Sequence, residues 1–130
     1  MIKKIDNIHV LIVEDDTFLA NIYKTKFEME GFKVSVSENG ELGLSDIKKK
    51  KPDIVLLDIL LPKMDGFTVL ENAKADKAIK HIPIILLTNL GQKDDVEKGL
   101  QLGAVDYLIK AHFKPSETVV KVRKVLDITN

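Results

Sequence analysis

Short apolar runs alternate along the chain with longer stretches in which apolar positions recur every three or four residues. Ile8 to Val13, Val34 to Val36, Ile54 to Leu57, Ile82 to Leu87 and Val105 to Ile109 have the length and β-branched content of buried strands. The helical spacing falls between and after them: Leu19, Ile22, Tyr23 and Phe27; Leu42 and, less regularly, Ile47; Phe67 and Leu70; Val96 and Leu100; Val119, Val122 and Leu126. Strict alternation of strand and helix, with strands nearly continuous in apolar residues, predicts a parallel sheet covered on both faces. Right-handed crossovers then make it a doubly wound α/β fold. Gly31, Gly40, Gly66, Gly91 and Gly103 fall in gaps or at helix ends, and Pro52, Pro62 and Pro115 lie outside helix interiors. Pro83 is expected to open the fourth strand, where a missing N–H is tolerated.

Composition narrows the function. The 130 residues carry 20 Lys plus Arg against 20 Asp plus Glu, a formal charge of zero. They suit one domain, residues 1–130, with neither repeat nor linker nor low-complexity segment. Without a broad positive field, direct nucleic-acid or membrane-surface binding is not expected. The run Lys48 to Lys51 has no interleaved aromatic residue and reads as the solvated end of a helix. Zero cysteines exclude a disulfide framework, a thiolate zinc site and a cysteine nucleophile. The N-terminus turns acidic too quickly for a signal peptide, and no apolar run approaches the roughly 18 residues of a membrane helix. A soluble, cytoplasmic protein is expected.

Ligands of open α/β sheets bind at the carboxyl ends of the strands. Glu14-Asp15-Asp16 follow the first strand, Asp58 the third, Thr88-Asn89 the fourth, and Lys110 the fifth. Singly, Asp15 or Asp16 would serve as a helix cap, Thr88 as a strand residue and Lys110 as a surface charge. Asp58 fits no such role, because a carboxylate closing a buried strand is costly unless paired or metal-bound. Clustered carboxylates repel unless a cation sits among them, and an all-oxygen set suits Mg²⁺. A carboxylate so placed is a nucleophile toward phosphorus, with metal, ammonium and hydroxyl to neutralise the oxygens in transfer. His9, His81 and His112 share no metal-ligand spacing and are read as packing or solvated residues. Asp65-Gly66 reads as turn chemistry starting the third helix, and Met29 and Met64 as packing residues.

These segments resemble the receiver domain of two-component response regulators over roughly residues 6 to 128. The resemblance is carried by Val10-Leu-Ile-Val-Glu-Asp-Asp16, Pro52-Asp-Ile-Val-Leu-Leu-Asp-Ile-Leu-Leu-Pro-Lys-Met-Asp-Gly66, Pro83-Ile-Ile-Leu-Leu-Thr88 and Gly103-Ala-Val-Asp-Tyr-Leu-Ile-Lys110. It implies a flavodoxin-like sheet of order 2-1-3-4-5, with Asp58 as phosphoryl acceptor. It further implies Asp15 as direct Mg²⁺ ligand, Glu14 as an acidic neighbour acting mainly through water, and the Leu60 backbone carbonyl as a further ligand. Thr88 would be the hydroxyl that moves toward the phosphoryl group, Lys110 the ammonium that pairs with it, and Tyr107 the aromatic that swings inward. The donor would be a sensor histidine kinase or a histidine phosphotransfer protein. Phosphorylation would bias the face of helix four, strand five and helix five, with Lys93, Lys98, Tyr107 and residues after Pro115, toward a target protein. The expected activity is self-catalysed phosphoryl acceptance and hydrolysis only, not an enzyme acting on a separate substrate. A stand-alone protein without an output domain is expected; a phosphorelay shuttle and the receiver part of a longer DNA-binding regulator remain as alternatives.

Two features depart from the family pattern. Ala111 replaces the usual proline after the lysine, so a trans Lys110–Ala111 bond is expected, since a cis bond there costs about 2.5–4 kcal/mol. Leu60 and Leu90 flank the acceptor where polar side chains could orient a hydrolytic water, which predicts slow loss of the phosphoryl group. Other Asp-nucleophile or phosphate-binding classes fit poorly. A dehalogenase-like phosphohydrolase needs a second Asp where Leu60 stands, no phosphate-binding G-x-x-x-x-G-K-[ST] loop is present, and Glu14-Asp15-Asp16 would repel a flavin phosphate.

Overall fold

A computed structural model describes residues 8–89, 93–110 and 114–128. The chain alternates β1 (His9–Val13), α1 (Thr17–Met29), β2 (Lys33–Ser37), α2 (Gly40–Lys50), β3 (Ile54–Asp58), α3 (Gly66–Ala75), β4 (Ile84–Thr88), α4 (Lys93–Gln101), β5 (Asp106–Ile109) and α5 (Pro115–Leu126). The five strands form one parallel sheet of order β2-β1-β3-β4-β5, as the resemblance implied. Among the described residues no helix is long and apolar enough to cross a membrane.

Strand alternation divides the core in two. Leu11, Val13, Val55, Leu57, Ile84 and Leu86 face α2 and α3 in one cluster with Leu44, Ile47, Val69 and Leu70. Val10, Ile12, Ile54, Leu56, Ile85, Leu87 and Leu108 face α1 and α5 in the other, with Tyr23, Phe27, Val119 and Val122. Every residue of β3 and β4 is buried, which is why neither strand shows a polar face in the sequence.

The structure corrects the expected pattern in several places, and Ile22, Met29 and Val105 are exposed. β4 begins at Ile84 and runs through Thr88, so Pro83 precedes the strand: lacking an N–H, it contributes only its carbonyl, which accepts from Val55 at 3.0 Å. Leu42 is exposed, and the buried stripe of α2 is Gly40, Gly43, Leu44 and Ile47. Leu100 is likewise exposed while Gly99 is the buried residue of α4. In both helices a glycine brings the backbone against the sheet. A Cβ on Gly43 would lie 2.7 Å from Val13 Cγ1, and one on Gly99 2.0 Å from Leu86 Cδ1.

His9 donates its backbone N–H to Asp53 Oδ2 and places Nε2 2.8 Å from Ser35 Oγ. His81 is exposed, whereas His112 lies outside the described residues. Burial, with Lys33 and Lys50 nearby, holds the His9 imidazole below its ordinary value of 6.5 against the opposing pull of Asp53. The unfolded chain then binds more protons than the folded one between that depressed value and 6.5, so stability falls as pH drops through this window. Denaturant midpoints measured from about pH 7.5 down to about pH 5 are expected to decline more steeply for the wild type than for His9→Gln. Parallel declines would refute the assignment.

Candidate functional site

The strand ends that read as polar in the sequence converge at the carboxyl edge of the sheet. Val13 pairs with Leu57 across β1 and β3, which sets the next residues, Glu14 and Asp58, side by side. Glu14 is 1% and Asp58 4% exposed, while Asp15 is exposed. Carboxylate oxygens of Glu14, Asp15 and Asp58 all lie within 4.8 Å of one another. Asp16 turns away from this group: as N-cap of α1 its side chain accepts from the Leu19 N–H at 3.1 Å. Asp65 has the matching role for α3, accepting from the Thr68 N–H at 2.9 Å.

Lys110 reaches the two buried carboxylates from beyond the end of β5. Its Nζ donates to Asp58 Oδ2 at 2.8 Å and sits 2.8 Å from Glu14 Oε1. The second contact is an ion pair off hydrogen-bond geometry, which leaves Glu14 Oε1 buried without a hydrogen-bond donor. The other Glu14 oxygen accepts from the Asp16 N–H at 3.2 Å, and Asp58 Oδ1 accepts from the Leu60 N–H at 3.3 Å. Burial raises the Glu14 carboxyl above its ordinary value, Asp58 adding to the rise and Lys110 opposing it. Burial alone would lower Lys110, but Asp58 and Glu14 overcome this and hold the ammonium above its ordinary value. An all-oxygen set with one undonated buried oxygen is compatible with a hard cation.

Other residues singled out in the sequence stand further off. Thr88 is buried beside the cluster, its backbone carbonyl accepting the Lys110 N–H at 2.9 Å, but its hydroxyl faces the Asn89 carbonyl at 3.4 Å. The Leu60 side chain, two residues past Asp58, is 64% exposed. Tyr107 packs half-buried on the α2–α3 side of the core, under the Lys121 ammonium 5.9 Å from its ring centroid. Lys98 sits 4.5 Å above the Phe67 ring and so leans toward α3. Leu90 and the Lys110–Ala111 bond lie outside the described residues. Sequence reading missed the direct Glu14–Lys110 contact.

A family profile described as "Response regulator receiver domain" matches residues 10–123. The chain is 40% identical over 121 residues to the "Probable transcriptional regulator ycf27" of Guillardia theta, covering 93% of this chain and 46% of that protein. It is 36% identical to the "DNA-binding dual master transcriptional regulator RpaA" of Synechocystis sp., covering 93% and 50% respectively. The chain thus spans about half the length of the curated relatives it matches. Among solved structures, a putative response regulator from Chloroflexus aurantiacus J-10-fl is 34% identical with a TM-score of 0.86, covering 92% of this chain and 97% of that one. The Francisella response regulator 1452 receiver domain is 30% identical with a TM-score of 0.85, covering 93% and 98%.

Removing the ammonium leaves Glu14 and Asp58 facing each other without compensation. Lys110→Met is therefore expected to destabilise the fold near neutral pH, toward the lower end of the about 3–5 kcal/mol seen when one partner of a buried pair is lost. The loss should shrink on mild acidification, as Glu14 takes up a proton. Chemical denaturation at two pH values checks this, and a pH-independent cost would contradict the pairing.

Proposed function

The chain belongs to the response regulator receiver family, and on that premise we propose that it accepts a phosphoryl group on Asp58 from a phosphohistidine donor. The observation that carries the proposal is a nearly buried carboxylate at the tip of β3 with an ammonium 2.8 Å away and two further carboxylates within 4.8 Å. An Asp58 oxygen attacks phosphorus, the P–N bond to the donor histidine breaks, and an acyl phosphate forms as the imidazole leaves. Lys110 is placed to move from Asp58 to an oxygen of the bound phosphoryl group, and Thr88, after turning from the Asn89 carbonyl, to meet another. Asp15, Asp58, the Leu60 carbonyl and, mainly through water, Glu14 would hold Mg²⁺, which supplies charge neutralisation at the phosphoryl oxygens when bound. The chemistry is self-catalysed acceptance and hydrolysis, not turnover of a separate substrate.

A sensor histidine kinase or a histidine phosphotransfer protein would be the donor, and a cytoplasmic location fits that reading. The output would pass through the α4, β5 and α5 face, with Tyr107 moving inward as Thr88 moves. A stand-alone receiver engaging a target protein is one form of this reading. The alternative, a receiver joined to a DNA-binding output, is favoured by one specific observation: relatives about twice as long carry names such as "DNA-binding dual master transcriptional regulator".

Incubation with Mg²⁺ and acetyl phosphate should add one phosphoryl group by intact mass, and Asp58→Asn should abolish the gain. Equal gain in both proteins would move the acceptor elsewhere. Once formed, the acyl phosphate should persist, because the exposed Leu60 side chain offers no group to orient an in-line water. Replacing Leu60→Asn together with Leu90→Glu should shorten its half-life about tenfold or more, the general scale of acid–base assistance being about 10²–10⁴-fold. A wild type that loses the group as fast as this variant would contradict the role of the leucines.

A further inference from the structure

The helices differ in how they are seated on the sheet. α1 buries Tyr23 and Phe27, α2 Leu44 and Ile47, α3 Val69 and Leu70, and α5 Val119 and Val122, whereas α4 buries only Gly99. The backbone of α4 lies so close to β4 that no Cβ fits between Gly99 and the Leu86 side chain. A close approach of this kind removes little apolar surface from water, so α4 is seated weakly beside its neighbours.

The C-terminal end of α4 is nevertheless pinned. The chain turns at Gly103, where φ is +113°, and the Ala104 N–H donates to the Gly99 carbonyl at 3.0 Å. The Lys74 stem of α3 passes beside this turn, 3.0 Å from where a Gly103 Cβ would lie, and its ammonium donates to the Lys80 and Ile82 carbonyls at 3.0 and 2.8 Å. Above that point α4 reaches α3 through an ammonium. Lys98 Nζ stands 4.5 Å from the centroid of the Phe67 ring, and a Cβ on Gly99 would meet the same ring at 3.8 Å. Phe67 is a fixed anchor: it is the second residue of α3, packs half-buried against the core, and follows Gly66, whose N–H donates to the Ile59 carbonyl at 2.8 Å in a turn too tight for a Cβ.

A cation over a ring face is attracted by the ring quadrupole, at an exposed site by an amount that shifts an equilibrium about two- to fivefold. For a helix seated by a glycine, that changes how much of the time it lies against the sheet. We propose that Lys98 and Phe67 form a strap that holds α4 down, its fixed end at the start of α3 and its moving end on α4. With the strap open, α4 lifts about its pinned C-terminal end. A partner that engages the lifted helix must open the strap first, which sets a threshold for binding on that face. The strap acts in the unmodified protein and stands apart from the reading of Asp58.

Amide exchange of the unmodified protein, followed by mass spectrometry where it reports the opening equilibrium, tests the strap. Lys98→Met keeps an unbranched side chain of similar helix propensity and removes the charge, so it should speed exchange across α4 about two- to fivefold and leave α1 and α5 unchanged. Phe67→Leu should act on α4 in the same way, while Lys98→Arg, which keeps a cation for the ring, should hold the wild-type rate. The double variant Lys98→Met, Phe67→Leu should exchange no faster in α4 than the faster single one. Unchanged α4 exchange in Lys98→Met, a rise shared by α1 and α5, or a Lys98→Arg protein as fast as Lys98→Met overturns the proposal, and these arms decide even if Phe67→Leu fails to fold. Full addition of the two single effects in the double variant overturns it as well. If Asp58 takes up no phosphoryl group, the exchange result still stands; if the exchange result fails, the phosphoryl reading is untouched.

Discussion

One ammonium holds the carboxyl edge of the sheet together. Glu14 and Asp58 sit side by side at the ends of adjacent central strands, both nearly buried, and two like charges in that position are unfavourable unless a cation lies against them. Lys110 supplies it across the end of β4, 2.8 Å from each. The arrangement is satisfied without being saturated: one Glu14 oxygen has charge nearby and no hydrogen-bond donor, and its carboxyl is held above its ordinary value. A site in that condition favours additional positive charge. Its chemistry and its stability therefore draw on the same three side chains.

The backbone around Asp58 is fixed by close approaches that leave no room for side chains. The Gly66 N–H donates to the Ile59 carbonyl at 2.8 Å, folding the segment after β3 back on itself, and a Cβ there would lie 2.3 Å from the Asp58 carbonyl. A Cβ on Gly40 would lie 1.7 Å from the Met64 carbonyl, so the loops entering α2 and α3 lie in direct contact. Caps at Asp16, Asn39 and Asp65 then start α1, α2 and α3 from those loops. Rigid loop geometry next to a buried charge cluster is the physical basis for positioning a reacting group.

Much of this was legible in the sequence, and the exceptions share a cause. Strand identity followed from runs such as Ile54 to Leu57, because burial on both faces removes any polar residue from the run. Helix faces were read correctly where the inward residue is large, as at Phe27 and Val122. They were misread at Leu42 and Leu100, where the inward position is Gly43 or Gly99 and close approach replaces side-chain burial. Hydrophobic periodicity cannot register a glycine packed against Val13 or Leu86. The acidic residues after β1 showed the opposite ambiguity: three adjacent carboxylates were visible, but which caps α1 and which is buried depends on the turn they make.

The sequence by itself determined the alternation of elements, the parallel doubly wound sheet, and the identity of the polar residues at its carboxyl edge. Those properties belong to contiguous residues, since periodicity and strand-end chemistry are local. Only the tertiary structure decided that Glu14 is buried while Asp15 is exposed, that Lys110 bridges to Asp58 across 52 positions of sequence, and that the same ammonium meets Glu14. Each depends on distance and burial between groups that only the sheet brings together, once its strands are set in register.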